Sequence, residues 1–318
     1  MYLVTGAAGF IGFHISLYLL QNNKKVIGID NLSSYYDTQL KLDRLNQLKK
    51  YRRFIFYKID LSKRSKLLNI HKYLNKAEYV IHLAGQAGVR YSIKNPQTYL
   101  KNNIQAYLNI LEVFKSKKKL KLILYASSSS IFGDYNKKNL KQPESFYAVT
   151  KKTMEDMSSI YNKIYKINII GLRFFTVYGP WGRPDMSIYK FTNKIESNVG
   201  IEVFNSGDHM RSFTYISDVI DNIQLIINKF SKKNINICDV FNIGNPKSIK
   251  LNKMIKILEK EINKKSKKIF TNKQLGDVDN TKANIRREIK IYNSKYKVDL
   301  EDGIKKFYEW FLSYKRKN

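Results

Sequence analysis

Along the first half of the chain, short apolar runs alternate with longer stretches in which apolar and polar positions follow a helical period. The runs at 2–5, 25–30, 53–57, 79–83, 120–127 and 168–173 are rich in Val, Ile, Leu, Tyr and Phe. They are continuous rather than alternating, so each is expected to be a strand covered on both faces. Stretches between them, notably 10–21, 96–115 and 145–165, carry the spacing of helices with one apolar side. Repeated strand, helix, strand predicts an α/β fold built on a doubly wound parallel sheet. Beyond residue 178 the pattern turns irregular, with strands expected at 201–204 and 239–242 and helices at 217–230, 251–262 and 300–314. No Pro- or Ser-rich linker and no internal repeat interrupts the chain. Residues 1–175 are therefore expected to form one domain, and 176–318 mainly a smaller α/β lobe packed against it, with some segments returning to the first domain.

Composition supports a folded protein. The 318 residues are 43% hydrophobic and 13% aromatic, too apolar for a disordered chain despite a formal charge of +32. That charge invites a nucleic-acid reading, but the lysines are scattered over nearly every expected surface helix and loop, and no aromatic-plus-basic binding motif accompanies them. Lys, Asn and Ile share A/T-rich codons, which accounts for their joint excess, so no nucleic-acid partner is expected. A positive surface still favours an anionic substrate, less so at high salt. The opening MYLVTGAAGF lacks a basic-then-apolar leader, and no window reaches the run of about 20 apolar residues a spanning helix needs. The chain is expected to be cytoplasmic, without a membrane partner. A single cysteine, Cys238, excludes an internal disulfide and a thiolate cluster, and its place in an apolar strand suggests packing.

Chemistry enters directly after the first strand. The segment GAAGFIG places Gly6, Gly9 and Gly12 at the opening of the helix expected at 10–21, with Phe10 and Ile11 in its first turn. Glycines there allow a tight turn and close approach of a pyrophosphate to free N–H groups at the helix start. Asp30, followed by Asn31, ends the next strand 18 residues after Gly12. A carboxylate there accepts hydrogen bonds from adenosine ribose hydroxyls and repels a 2′-phosphate, which favours NAD over NADP. The fold is then Rossmann-like, and its ligands gather where the strands end: Asp60 and Leu61 after the third, and His82, Leu83, Ala84 and Gly85 after the fourth. His82 is read as a strand-end histidine without a chemical role.

The fifth strand ends in four serines, Ser127 to Ser130. Tyr147 follows Ser128 by 19 residues, in YAVTK, with Lys151 one helical turn further on. Four residues apart on a helix, the phenol and ammonium face one site. A phenol with a pKa of about 10 is a poor base at neutral pH. A neighbouring Lys⁺ and a positive nicotinamide ring favour the phenolate. Ser145 is placed to cap the helix.

The segments TGAAGFIG, HLAGQAGVRYS, YASSSSIFG, YAVTKK, LRFFTVYGPWGRPDM, RSFTYISD and GDVDNT together resemble the extended short-chain dehydrogenase/reductases, and most closely the UDP-glucuronate 4-epimerases, over about Tyr2 to Trp310. The resemblance implies NAD as cofactor, a UDP-sugar as substrate and a homodimer formed through the helices at 96–115 and 145–165. It makes Tyr147 the base for the C4 hydroxyl proton, Ser128 the catalytic hydroxyl, and Lys151 the holder of the nicotinamide ribose. It adds Asn103 to the cofactor residues. Thr176 matches a sugar-carboxylate position, Arg90 and Arg183 lie near the sugar, Arg211 matches a phosphate-binding arginine, Phe204 and Lys190 lie near the uracil, and Asp277 lies near the nucleotide.

Relatives that eliminate water carry an acidic pair where this chain has Ser129 and Ser130, and relatives that decarboxylate place a Glu at Ser130. Neutral hydroxyls from Ser129, Ser130 and Thr176 suit a uronic acid whose carboxylate must be held without repulsion. The chain departs from the family in a shortened stretch of 13 residues between Gly133 and Tyr147, carrying Lys137, Lys138 and Lys141. Other departures are Ser212 for a usual aspartate, Leu275 for a proline and Phe132 for a tyrosine. The leading expectation is 4-epimerisation of UDP-glucuronate to UDP-galacturonate. The alternatives are a 4-epimerase of a neutral UDP-sugar, such as UDP-glucose or UDP-N-acetylglucosamine, and a non-catalytic NAD- or nucleic-acid-binding module.

Overall fold

Each continuous apolar run of the first half becomes a strand in the computed structural model, which describes residues 1–134, 142–231, 236–272, 278 and 280–316. The strands are β1 (Tyr2–Thr5), β2 (Val26–Asp30), β3 (Phe54–Lys58), β4 (Tyr79–His82), β5 (Leu122–Ser128) and β6 (Ile169–Phe174). After them come β7 (Thr176–Tyr178), β8 (Ile201–Phe204), β9 (Met210–Arg211), β10 (Phe213–Tyr215), β11 (Cys238–Ile243), β12 (Ile249–Lys250) and β13 (Lys268–Thr271). Seven of them form one parallel sheet in the order β11-β6-β5-β4-β1-β2-β3.

Successive residues of these strands enter opposite layers, which is why the runs do not alternate with polar residues. Leu3, Val80 and Ile123 pack with Ile110, Leu111 and Phe114 on one face. Val4, Ile81 and Leu124 pack with Phe13, Ile15, Leu19 and Ile223 on the other. Each such side chain contributes roughly 1.5–3 kcal/mol on burial, so the sheet is the rigid part of the molecule. The strand order reverses between β1 and β4, and the crevice at their carboxyl ends is where a ligand enters such a sheet.

Three outcomes differ from the sequence expectations. The region expected as one helix at 96–115 is split into Pro96–Tyr99, a π-helical turn Leu100–Gln105 and Ala106–Phe114. The wider turn brings Asn103 inward, fully buried. Cys238 is exposed rather than packed, because it is the first residue of β11, the edge strand of the sheet. The later part of the chain gives three two-stranded pieces, β7 with β10, β9 with β12 and β8 with β13, while β11 pairs with β6 in the main sheet. No helix among the described residues is long and apolar enough to cross a membrane.

Candidate active site

At the end of β1 the chain turns under constraint. Gly6 has φ +70, and a Cβ there would lie 2.8 Å from the Ala84 nitrogen, so the loop after β1 lies directly against the loop after β4. Gly12 packs the helix Phe10–Gln21 onto the same turn, since its Cβ would lie 2.0 Å from the Gly6 carbonyl oxygen. Gly9 caps that helix without a side chain. The first-turn amides of Phe10 and Ile11 therefore face the cleft free of a side-chain cap, as an anionic ligand requires.

Asp30 ends β2 beside this loop and is 9% exposed. Its carboxylate accepts hydrogen bonds from the Ala8 amide at 3.1 Å and the Leu32 amide at 2.8 Å. Burial pushes its pKa up, opposed by those amides and the nearby Lys41 and Arg44. Asn31 lines the cleft next to it, as do Asp60, Leu61, Leu83, Ala84 and Gly85 from the ends of the third and fourth strands. Asn103 stands behind this wall. Its side chain accepts from the Gln86 amide at 2.7 Å and donates to the Gln86 carbonyl at 3.1 Å and to Thr150 Oγ1 at 3.0 Å. With its amide engaged there, Asn103 supports the loop after β4 from behind. His82 is likewise structural: it is fully buried, bonded to Thr5 Oγ1 at 2.8 Å, and held neutral by burial, which lowers its pKa to about 3.

The serine run leaves β5 as a short 3-10 turn, Ser129–Phe132. Ser128 caps it, accepting from the Ser130 amide at 3.1 Å and donating to Ser130 Oγ at 3.0 Å. Ser127 points away from the cleft chemistry into a buried pair: its hydroxyl donates to Glu155, which Arg173 binds through two nitrogens at 2.8 and 2.7 Å. Phe132, where the family has tyrosine, lies against that guanidinium, 4.7 Å from its ring centroid.

Tyr147 and Lys151 share one face of the helix Phe146–Tyr165, which Ser145 caps through the Ala148 amide at 3.2 Å. Burial raises the pKa of Tyr147, while a hydrogen bond with Ser128 and the charge of Arg183 lower it. Lys151 is held by the backbone of β5. Its Nζ donates to the Ala126 carbonyl at 2.8 Å and lies 5.9 Å from the Tyr147 ring centroid, and burial lowers its own pKa to about 8. In the chain by itself, the groups that favour the phenolate are Ser128 and Arg183.

The other wall comes from the later part of the chain. Thr176 opens β7 and its amide bonds the Ser212 carbonyl at 3.2 Å. The Ser212 hydroxyl, in the place of the family's aspartate, accepts from the Ala283 amide at 3.0 Å, so this position ties two loops of the second lobe. Arg183 pairs with Asp185, Lys190 with Glu202 at 3.1 Å, and Arg211 donates to the carbonyls of Met210 and Val278 at 2.9 and 2.7 Å. Arg90 reaches across to Phe204, its guanidinium 4.3 Å from the ring centroid, so it joins the two walls.

One cleft of about 660 Å³ is lined by Gly6, Gly9, Asp30, Arg90, Ser128, Ser129, Ser130, Tyr147, Lys151, Thr176, Arg183, Lys190, Phe204 and Arg211. Asp277, Leu275 and residues 135–141 of the shortened stretch, with its three lysines, lie outside the described residues. Sequence reasoning missed Tyr35, Lys41 and Asp185, which also line the cleft. Asp185 sits two residues after Arg183 and was within reach of the motif; Tyr35 and Lys41 follow β2 without a recognisable pattern. Among the described residues no group of acidic, histidine or cysteine side chains is arranged to hold a metal ion.

Comparison with known proteins agrees with this geometry. Residues 2–244 match the model of the NAD dependent epimerase/dehydratase family. An uncharacterized protein of Methanocaldococcus jannaschii is 45% identical over 98% of this chain and 96% of its own length. The UDP-glucuronate 4-epimerase of Thermodesulfobacterium geofontis is 40% identical over 97% of this chain and 95% of its own. The crystal structure of UDP-glucuronic acid 4-epimerase from Bacillus cereus, in complex with UDP-glucuronic acid and NAD, superposes with a TM-score of 0.90 at 33% identity, covering 98% of this chain and 99% of that one. With its glycine turn, its strand-end aspartate and its Ser128, Tyr147 and Lys151 in one cleft, the chain belongs to the NAD-dependent epimerase/dehydratase family.

Proposed function

We propose that this chain is a UDP-glucuronate 4-epimerase, interconverting UDP-glucuronate and UDP-galacturonate through a 4-keto sugar. The observation that carries the reading is the serine turn: Ser129 and Ser130 line the cleft beside Ser128 and opposite Thr176, with neutral hydroxyls where related dehydratases and decarboxylases carry acids.

The residues present fit NAD. Gly6 and Gly12 leave no room for a Cβ, the helix start is uncapped by side chains, and the Asp30 carboxylate closes the adenosine end. When bound, NAD supplies the acceptor for the C4 hydride and its return to the opposite face. Burial raises the pKa of Tyr147, and Ser128, Arg183 and the positive ring of bound NAD⁺ would offset that, so that its phenolate takes the C4 hydroxyl proton as the hydride departs and gives it back after the sugar has turned. Lys151, bonded to the Ala126 carbonyl, presents its remaining donors to the nicotinamide ribose. Arg211 binds the diphosphate, and Arg90, Phe204 and Lys190 surround the uracil end.

Oxidation at C4 makes the uronate a β-keto acid, which loses CO₂ when the carboxylate bond aligns with the carbonyl π-system. Donors from Ser129, Ser130 and Thr176 hold that carboxylate in the plane that prevents alignment. In this reading residues 1–175 hold NAD, residues 176–318 mainly hold the UDP-sugar, and β11 returns to the first domain. The helices of the dimer face leave Leu100, Val149, Ile160 and Ile164 exposed, which supports a homodimer working in the cytoplasm, where NAD and UDP-sugars are made.

The test compares Tyr147→Phe with the parent and acidic with neutral substrates. The variant is expected to keep NAD and lose nearly all turnover, and the parent is expected to prefer UDP-glucuronate over UDP-glucose in kcat/KM. A variant with parental turnover refutes the assigned base; a preference for UDP-glucose refutes the uronate assignment.

A further inference from the structure

A buried arginine outside the known motifs connects the two walls of the cleft. Arg44 lies on the helix Thr38–Lys49 and is fully buried. One terminal nitrogen donates to the Ala8 carbonyl in the glycine turn at 2.9 Å and to Tyr36 Oη at 2.7 Å. The other donates to the carbonyls of Trp181 at 2.6 Å and Gly182 at 3.2 Å. His14, from the helix that starts at the glycine turn, donates through Nε2 to the next carbonyl back, Pro180, at 2.9 Å. Three consecutive carbonyls just before Arg183 are thus all held by donors from the cofactor half.

The turn they hold is not a relaxed one. Gly179 has φ +140, and Trp181 has φ +61, a left-handed conformation that costs a bulky residue on the order of 1–3 kcal/mol. The Trp181 ring is fixed as well, with centroids 5.4 Å from Phe13 and 5.5 Å from Trp310. Past this turn the chain delivers Arg183 and Asp185 into the cleft, and Tyr35, next to Tyr36, donates to Asp185 at 3.4 Å. A guanidinium is suited to the task, because its planar fork reaches acceptors on two sides at fixed angles, whereas an ammonium cannot.

We propose that Arg44 is a positioning residue that couples the cofactor turn to the substrate-facing pair Arg183 and Asp185, so that seating NAD against the glycine turn also sets Arg183 for the sugar. The inference deepens the epimerase reading and rests on it for the choice of ligand.

The test is a double-mutant cycle read by binding. With NAD present, Arg44→Lys and Arg183→Ala are each expected to weaken UDP-glucuronate binding about tenfold by calorimetry, and the double variant is expected to bind no more weakly than Arg183→Ala alone. Multiplying losses in the double variant, or unchanged binding in Arg44→Lys, would overturn the proposal. A measurement on the unaltered chain serves if the lysine variant does not fold: saturating it with NAD is expected to slow amide exchange in residues 179–186. Exchange unaffected by NAD overturns the coupling. If the unaltered chain binds no UDP-glucuronate, the epimerase reading fails, and the exchange measurement still decides on Arg44.

Discussion

Replacing Lys151 with methionine is expected to abolish turnover and yet stabilise the NAD-free chain at neutral pH. Lys151 is 4% exposed, and its partners are the Ala126 carbonyl at 2.8 Å and the Met154 sulfur at 3.7 Å, neither of them charged. Burial lowers its pKa from the usual 10.5 to about 8, and that difference corresponds to about 3 kcal/mol. The sign follows from where the proton sits. Below about pH 8 the ammonium is charged in both folded and unfolded chains, and its burial costs the folded state the full amount. Between about 8 and 10.5 the unfolded chain keeps the proton and the folded chain gives it up, so stability rises with pH. Methionine carries no charge and packs beside Met154, so the variant lacks this rise. Urea unfolding of both NAD-free chains at pH 7 and pH 10.5 measures it, since titrations common to the two cancel in the difference. The variant's advantage at pH 7 is expected to shrink by about 3 kcal/mol at the higher pH. A difference independent of pH refutes the reasoning.

Breaking the buried Glu155–Arg173 pair with Glu155→Leu is expected to cost about 3 kcal/mol, because it strands a guanidinium, and adding Arg173→Met is expected to recover most of that in urea unfolding. Since Arg183 lowers the pKa of Tyr147, Arg183→Met is expected to move the acid limb of kcat/KM to higher pH, which a pH–rate profile checks. Ser130→Glu is expected to release CO₂ from UDP-glucuronate, measured as labelled gas from a carboxyl-labelled substrate, because the added acid displaces the carboxylate from its protected plane.

What the sequence disclosed and what it hid divide along a physical line. Gly6, Gly9, Gly12 and Asp30 were legible because a backbone turn against a ligand limits residue choice at fixed distances from a strand. Ser128, Tyr147 and Lys151 were legible for the same reason: each lies at the end of an apolar run or on one helix face. The place of Asn103 behind the loop after β4 was not legible, because the π-turn that brings it inward leaves no mark in the spacing of residues 96–115. Arg44 was invisible for a different reason. In a chain with 58 lysines and arginines a basic residue on a helix reads as surface, and only the fold shows one buried against four acceptors. A return of later segments to the first half was expected from the sequence, but not that β11 would be the strand that completes the sheet beside β6.

The most direct measurement follows the substrate itself. Purified chain with NAD is incubated with UDP-glucuronate, and the products are separated by ion-exchange chromatography and identified by proton NMR at C4. The account predicts UDP-galacturonate as the product, approached to the same equilibrium mixture from either sugar, with the carboxylate retained. A UDP-pentose accompanied by CO₂, or unchanged UDP-glucuronate beside active turnover of UDP-glucose, would contradict it.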